Sequence, residues 1–363
     1  MTFSRALKVK LIGWYGFNAT GDDLMADCIR RLFQDCADQL SLRLEFDTDT
    51  KCHLAIVGGG TIIGCDSADI WPQIDATPAP LAVFGPGFRD MGPEACRQWQ
   101  GTMKTIFERA VVAGVRGPLT VAALRKWDIT SSASVIGDPA IGFRPLDTNR
   151  VKYQELESGT GRPLLGICIR HLKQPGFEER YLDAPETYAR FASLIPEVLR
   201  YYDACPVFFS FCENEYDSDT MGARYLRDLL PVKYQHAPIV DFHADPMRVA
   251  SLIARLDYLV CERMHPAILM WTLGKPCLMI DYQYSKAADF LAGIGMSEFC
   301  LRSDQLNVDG YMARLARLES VRQKVVREAR VTFSRQQSLQ RSLAMKAIVE
   351  AVAYERAAYG KSM

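Results

Sequence analysis

Apolar and polar positions along this chain fall into two alternating patterns. Short apolar runs at Val9–Tyr15, Leu42–Phe46, His53–Val57, Leu81–Gly85, Val111–Gly114 and Ser134–Ile136 predict strands. A loop, Gly16–Gly21, follows the first run, and then Leu24, Met25, Cys28, Ile29, Leu32 and Phe33 recur at three- and four-residue spacing. That is one face of a helix, with Asp22 placed as its cap. Strands this apolar are buried on both faces, as in a parallel sheet covered by helices. Residues 144–162 break the pattern. They are polar, carry Pro, Gly and Ser, and show no period, which marks a domain boundary.

Beyond it the alternation restarts. Leu164–Ile169, Pro206–Phe211, Asp257–Cys261 and Pro276–Ile280 read as strands. Pro185–Asp203, Tyr216–Leu230 and Met264–Leu273 read as helices, and Asp304–Tyr359 is helical throughout. The expected fold is α/β, with two doubly wound, Rossmann-like domains facing a cleft, at residues 1–148 and 162–303, and a helical C-terminal extension at 304–363. This organisation is similar to that of the two-domain glycosyltransferases of GT-B type, an analogy that supports a cleft and not a chemistry.

Composition narrows the class. The chain has 363 residues, 48% apolar and 24% charged, the mix of a folded globular protein. Its 43 basic and 43 acidic residues balance, which speaks against nucleic acid as a partner. The eleven cysteines form no CxxC pair and most lie in apolar runs, as reduced thiols of a cytosolic protein do. The N-terminus lacks a small-residue cleavage site, and the most apolar stretch, His265–Ile280, is interrupted by Gly274, Lys275 and Pro276. A cytoplasmic location is expected. From Ala313 to Lys346 nine basic residues face two acidic ones. This is either a solvated helical face or a patch that docks on the anionic inner face of a membrane or on a lipid-pyrophosphate substrate. The oligomeric state is not legible.

Ligands bind at loops beyond the carboxyl ends of parallel strands. The first such loop, Gly16-Phe-Asn18-Ala-Thr-Gly21-Asp22, opens a helix and offers Asn18 to a sugar or phosphate, but it fits a turn closed by an Asp cap equally well. The second, Gly58-Gly59-Gly60-Thr61, presents bare backbone to an anion or a ring, or is a tight turn. Two further loops set Arg89 and Arg116 just past strand ends, as ligand-binding forks or as ordinary ion pairs. Glu262-Arg263-Met264-His265, between a strand and an apolar helix, is the sharpest set: Arg263 suits a carboxylate or phosphate, and His265 suits proton donation near neutral pH. Arg170-His171 closes a strand in the same manner, and Asp281-Tyr-Gln-Tyr-Ser-Lys286 is a further polar tip. No HxxxH or HExxH spacing joins the five histidines, so no metal site is expected, and no GxSxG occurs.

Taken in order, these motifs resemble the polysaccharide pyruvyl transferase family. The shared features are Asn18-Ala-Thr-Gly21-Asp22, the triplet Gly58–Gly60, Val115-Arg116-Gly117-Pro-Leu-Thr120, Gly137-Asp138-Pro139, Arg263-Met264-His265, Gly274-Lys-Pro276, and Tyr282 and Tyr284 before Lys286. The resemblance spans roughly residues 9 to 295. Gly117 stands where the family carries Asp, Thr120 where it carries Ser, Met264 where it carries Leu, and Pro266 after His265 is unusual.

The resemblance implies transfer of the enolpyruvyl group of phosphoenolpyruvate to two hydroxyls of a sugar, in a polysaccharide or its lipid-linked precursor, with release of phosphate and no resident cofactor. Phosphoenolpyruvate carries a carboxylate and a phosphate, so the donor site needs cations. Arg263 is the first candidate and Arg170 the second, with Lys286 placed to neutralise the departing phosphate. His265 is the candidate general acid or phosphate contact, and Asp22 or Glu262 the candidate base. Asn18, Gly59, Gly60, Arg89 and Arg116 are the remaining candidate substrate contacts. The alternatives are a nucleotide-sugar-dependent glycosyltransferase of the same architecture and a non-catalytic polysaccharide-assembly protein.

Overall fold

The structure, a computed structural model, describes residues 6–46, 51–64, 70–89, 93–129, 133–144, 161–171, 184–215, 217–282 and 285–360. Most of the 144–162 boundary, and Tyr216 and Tyr284, lie outside them. The chain divides into two compact units. Unit 1 comprises Met1–Tyr15, Met25–Gly142 and Thr332–Met363, and unit 2 comprises Gly16–Leu24 and Phe143–Val331.

Unit 1 holds β1 (Leu7–Ile12), α1 (Thr20–Gln39, begun in unit 2), β2 (Leu44–Phe46), β3 (Leu54–Gly58), α2 (Trp71–Asp75), β4 (Leu81–Phe84), α3 (Pro93–Arg109), β5 (Ala110–Val115), α4 (Pro118–Lys126) and β6 (Ser134–Val135). The strands form one parallel sheet in the order β2-β1-β3-β4-β5-β6, with Val9 opposite Leu54 and Leu11 opposite Ile56. Side chains alternate across it with period two, and both faces are buried. Leu54 and Ile56 join Leu7, Val9, Ile29, Phe33 and Phe84 on one face. Ala55 and Val57 join Ile12, Leu81, Val83, Met103, Phe107 and Leu124 on the other.

Unit 2 holds β7 (Leu164–Cys168), α5 (Ala184–Tyr202), β8 (Cys205–Phe209), α6 (Asp219–Leu229), β9 (Ile239–Val240), α7 (Pro246–Arg255), β10 (Tyr258–Cys261), α8 (Met264–Thr272), β11 (Met279–Asp281), α9 (Lys286–Gly293), β12 (Cys300–Arg302) and the first part of α10 (Val308–Gly360). Its main sheet is parallel in the order β10-β7-β8-β9, and β11 pairs in parallel with β12. The expected class, α/β with parallel sheets and a helical C-terminus, is the one observed. The C-terminal region is a single helix of 53 residues, about 80 Å long at 1.5 Å per residue. Its far half completes unit 1, where Ala344, Ala347, Ile348 and Ala351 fill the core beneath β1 and β3.

Two local expectations change. The first strand ends at Ile12, not Tyr15, and α1 opens at Thr20, so Asp22 is not its cap. Asp22 and Asp23 lie in its first turn, where the helix dipole favours acids. Asp23 also accepts the Gly16 amide at 2.7 Å and closes the loop. Residues 16–24 pack with unit 2, although the sequence reading places them among residues 1–148. The backbone explains this. Ala19 bridges Cys212, the Thr20 amide donates to Phe211 O at 3.1 Å, and the Glu213 amide donates to Asn18 O at 3.0 Å.

Candidate functional site

In unit 2 the strand order reverses between β7 and β10, because β8 and β9 extend the sheet on the other side of β7. A crevice at the carboxyl ends of the strands forms at such a switch point. Arg170 follows β7, and Glu262 and Arg263 follow β10, so the topology alone brings these three together. The Glu262 amide continues the ladder to Cys168 O at 3.1 Å, and the Glu262 carboxylate accepts the Arg170 amide at 3.2 Å.

Two carboxylates that the sequence reading did not single out complete this cluster. Asp219 accepts from Arg263 Nη2 at 2.6 Å and from Nε at 3.1 Å, and Asp217 accepts from Arg170 Nε at 2.8 Å and Arg263 Nη1 at 3.3 Å. Both flank Ser218, which caps α6 by accepting the Met221 amide at 3.1 Å. An Asp-Ser-Asp at a strand-to-helix junction is the signal that could have found them. Arg263 and Arg170, expected to hold a dianion, thus each carry carboxylates already. Side-chain exposures are 12% for Arg263, 10% for Asp217 and 0% for Asp219, so these are largely desolvated pairs.

Burial and charge pull these groups apart. Burial pushes Asp217 up, but two guanidinia outweigh it and hold the carboxyl below its ordinary range. Burial wins at Asp219, which rises despite Arg263. Burial also lifts Glu262 to about 7, against its Arg170 amide bond and the two guanidinia. Arg263 is held charged by Asp219 and Asp217, which overcome its own burial.

His265 is the second residue of α8 and is half-buried. It meets the first turn of α1: a Cβ on Gly21 would lie 2.0 Å from His265 Nδ1. Asn18, Gly21, Asp22 and His265, distant in sequence, therefore belong to one unit. Asp22 also bears on the Cys212 thiol, which burial raises to about 12. At the end of β11, the Tyr282 ring carries two cations. The Arg170 guanidinium lies 4.5 Å from its centroid and the Lys286 ammonium 5.9 Å. Among the described residues no cluster of three or more His, Cys, Asp or Glu is arranged to hold a metal ion.

The other expected contacts lie in unit 1. Gly59 and Gly60 take φ of +76° and +68° at the end of β3. Here too the strand order reverses, between β1 and β3. A Cβ on Gly59 would lie 2.7 Å from the Tyr15 ring, whose hydroxyl donates to Gly58 O at 2.5 Å. Arg89 is half-buried, and its amide donates to Ile63 O at 2.8 Å. Arg116, expected to contact substrate, does not reach the surface. Its side chain is fully buried and paired with Asp138 at 2.9 Å.

Two α/β units with parallel sheets and a long C-terminal helix make up the fold, and that fold recurs in solved structures. It is shared with the S. aureus MnaA–UDP co-structure (10% identity, TM-score 0.56, 89% of this chain and 90% of that one). It is shared also with Methanocaldococcus jannaschii UDP-GlcNAc 2-epimerase in complex with UDP-GlcNAc and UDP (11% identity, TM-score 0.53, 86% and 92%). No curated protein sequence matches the chain. The sequence model of the polysaccharide pyruvyl transferase family matches residues 19–284, and the chain belongs to that family. No helix among the described residues is long and apolar enough to cross a membrane.

Proposed function

We propose that the chain transfers the enolpyruvyl group of phosphoenolpyruvate to two hydroxyls of a saccharide, free or lipid-linked, forming a cyclic ketal and releasing phosphate. The observation that carries this reading is the pair of cations, Arg170 and Lys286, on the Tyr282 ring. The ring's quadrupole attracts each cation, so both are held beside Tyr282. A donor with two anionic groups suits such a pair.

The roles follow from position. Arg170 and Lys286 hold the carboxylate and phosphate. Arg263, held by Asp217 and Asp219, fixes the turn after β10 at the switch point. His265 delivers a proton to the methylene carbon, which generates an oxocarbenium-like C2. One hydroxyl adds to C2 and loses its proton to Asp22, one residue from Gly21, which touches His265. The second hydroxyl then displaces phosphate, which departs with that hydroxyl's proton. Glu262, buried behind Arg170, sets the charge of the cluster. Phosphoenolpyruvate enters as a substrate, with no resident cofactor in the scheme. Gly59, Gly60 and Arg89 of unit 1 are candidate polar contacts to a saccharide, and Asn18 of unit 2 is a separate candidate.

Thermal unfolding with millimolar phosphoenolpyruvate, pyruvate, phosphate and nucleoside diphosphates tests the reading, because a ligand of the folded state raises the midpoint. The expected result is a rise with phosphoenolpyruvate that disappears in Lys286→Ala. A rise with a uridine or guanosine diphosphate alone would replace this reading with that of a nucleotide-sugar glycosyltransferase.

A further inference from the structure

We infer that Arg116 and Asp138 form a positioning device that sets the strand-end loops of unit 1 to receive a saccharide, acting from beneath without touching it. This rests on the reading that the chain acts on a saccharide. Both side chains are fully buried, with Arg116 Nε 2.9 Å from Asp138 Oδ2. Arg116 Nη2 donates to Gly60 O at 3.2 Å, and the Gly87 amide donates to the same carbonyl at 3.0 Å. The Arg116 amide donates to Pro86 O at 3.0 Å. Ile63 donates to Gly87 O at 3.3 Å, and Arg89 donates back to Ile63 O at 2.8 Å. The backbone passes so close over the guanidinium that a Cβ on Gly87 would lie 2.6 Å from Nη1. Arg116, through its side chain to Gly60 and Asp138 and its backbone amide to Pro86, thereby joins the loops after β3, β4 and β5 to the turn after β6.

The turn is itself braced. Asp138 Oδ1 accepts the Ala140 amide at 2.9 Å. From α10, Gln340 donates to Ile136 O at 3.0 Å and Gln337 donates to Ile141 O at 2.7 Å. Stability alone does not account for this arrangement. A buried ion pair contributes little beyond what well-packed apolar residues of the same volume would. What the pair supplies is geometry: the ion pair to Asp138 holds the planar guanidinium in place, and Nη2 is thereby aimed at Gly60 O. The loops it fixes include Gly58–Gly60, at the point where the strand order reverses; Gly58 O is taken by Tyr15 and Gly60 O by Arg116 and Gly87, so the Gly59 peptide is the part of the triplet we assign to a sugar hydroxyl.

Full-length Arg116→Lys keeps a charge opposite Asp138 and removes the fork that reaches Gly60. Amide hydrogen exchange in residues 59–63 and 87–89 is expected to quicken at least tenfold, while residues 54–57 and 81–84 stay within twofold of the parent. No change in the loops, or equal quickening across the sheet, would overturn the positioning role. If Arg116→Lys fails to fold, the isosteric Asp138→Asn carries the same comparison. In a transfer assay with p-nitrophenyl hexosides, KM for a converted hexoside is expected to rise about tenfold with KM for phosphoenolpyruvate unchanged. An unaltered hexoside KM would count against the inference. A parent chain that converts no hexoside would count against pyruvyl transfer instead, and the exchange comparison then decides the positioning role by itself.

Discussion

Gly21 and His265 meet so closely that no side chain fits between them: a Cβ on Gly21 would stand 2.0 Å from the imidazole Nδ1. In the first turn of a helix, alanine is ordinarily preferred to glycine by up to about 1 kcal/mol. Gly21→Ala should do the opposite here. The imidazole must move, at a cost of about 1–3 kcal/mol for overpacking. Transfer activity should fall at least tenfold while phosphoenolpyruvate still raises the melting midpoint. An active, more stable Gly21→Ala protein would remove His265 from the mechanism.

Glu262 gives a pH dependence of definite sign. Its folded pKa, about 7, lies above the ordinary carboxylate value because the group is buried. The stability it contributes is fully present below the unfolded pKa and is lost as pH rises through about 7. Glu262→Gln should therefore unfold at a higher denaturant concentration than the parent at pH 8. A gain on the order of 3 kcal/mol is the upper bound for such a shift. The two proteins should converge below pH 4 or so, where both are neutral at this position. Denaturant titrations at the two pH values measure it.

Tyr282 separates ring from hydroxyl. If the ring holds Arg170 and Lys286 together, Tyr282→Phe keeps the donor KM within twofold. Tyr282→Leu should raise it about tenfold, from the roughly 0.5–2 kcal/mol of each cation–ring contact. Equal KM values in the two variants would dissociate the ring from donor binding.

Ile348 tests the far half of α10. It is fully buried in the core beneath β1 and β3. Ile348→Ala should cost about 2–5 kcal/mol of stability. Charge reversal at exposed Lys346, three residues before exposed Val349, should leave stability within about 0.5 kcal/mol. Chemical denaturation distinguishes the two faces.

Much of this was legible in the sequence. Apolar runs disclosed β3 and β4 because both faces are buried and every residue is selected for it. The Glu262-Arg263-Met264-His265 turn was legible because a strand end and an apolar helix bracket it. Ile239–Val240 was not, since two residues carry no period. Helix α7 carries its start signal in the sequence, Asp245 as cap and Pro246 in the first turn, but no helix is assigned there from the sequence. The partners of Arg263 escaped for another reason. Asp217 and Asp219 lie more than forty residues away, and only the parallel order β10-β7-β8 lays them alongside. Arg116 looked like a surface fork because sequence gives strand ends, not depth.

The way the chain is apportioned between units also bears on its synthesis. Residues 143–331, nearly all of unit 2, emerge from the ribosome before the stretch of α10 that completes unit 1. Until Ala344, Ala347 and Ile348 arrive, part of the apolar face that β1 and β3 share with α1 stays uncovered. The first unit begun is thus the second finished, and a nascent chain halted near residue 331 would carry a closed unit 2 beside an unsealed sheet for chaperones to guard.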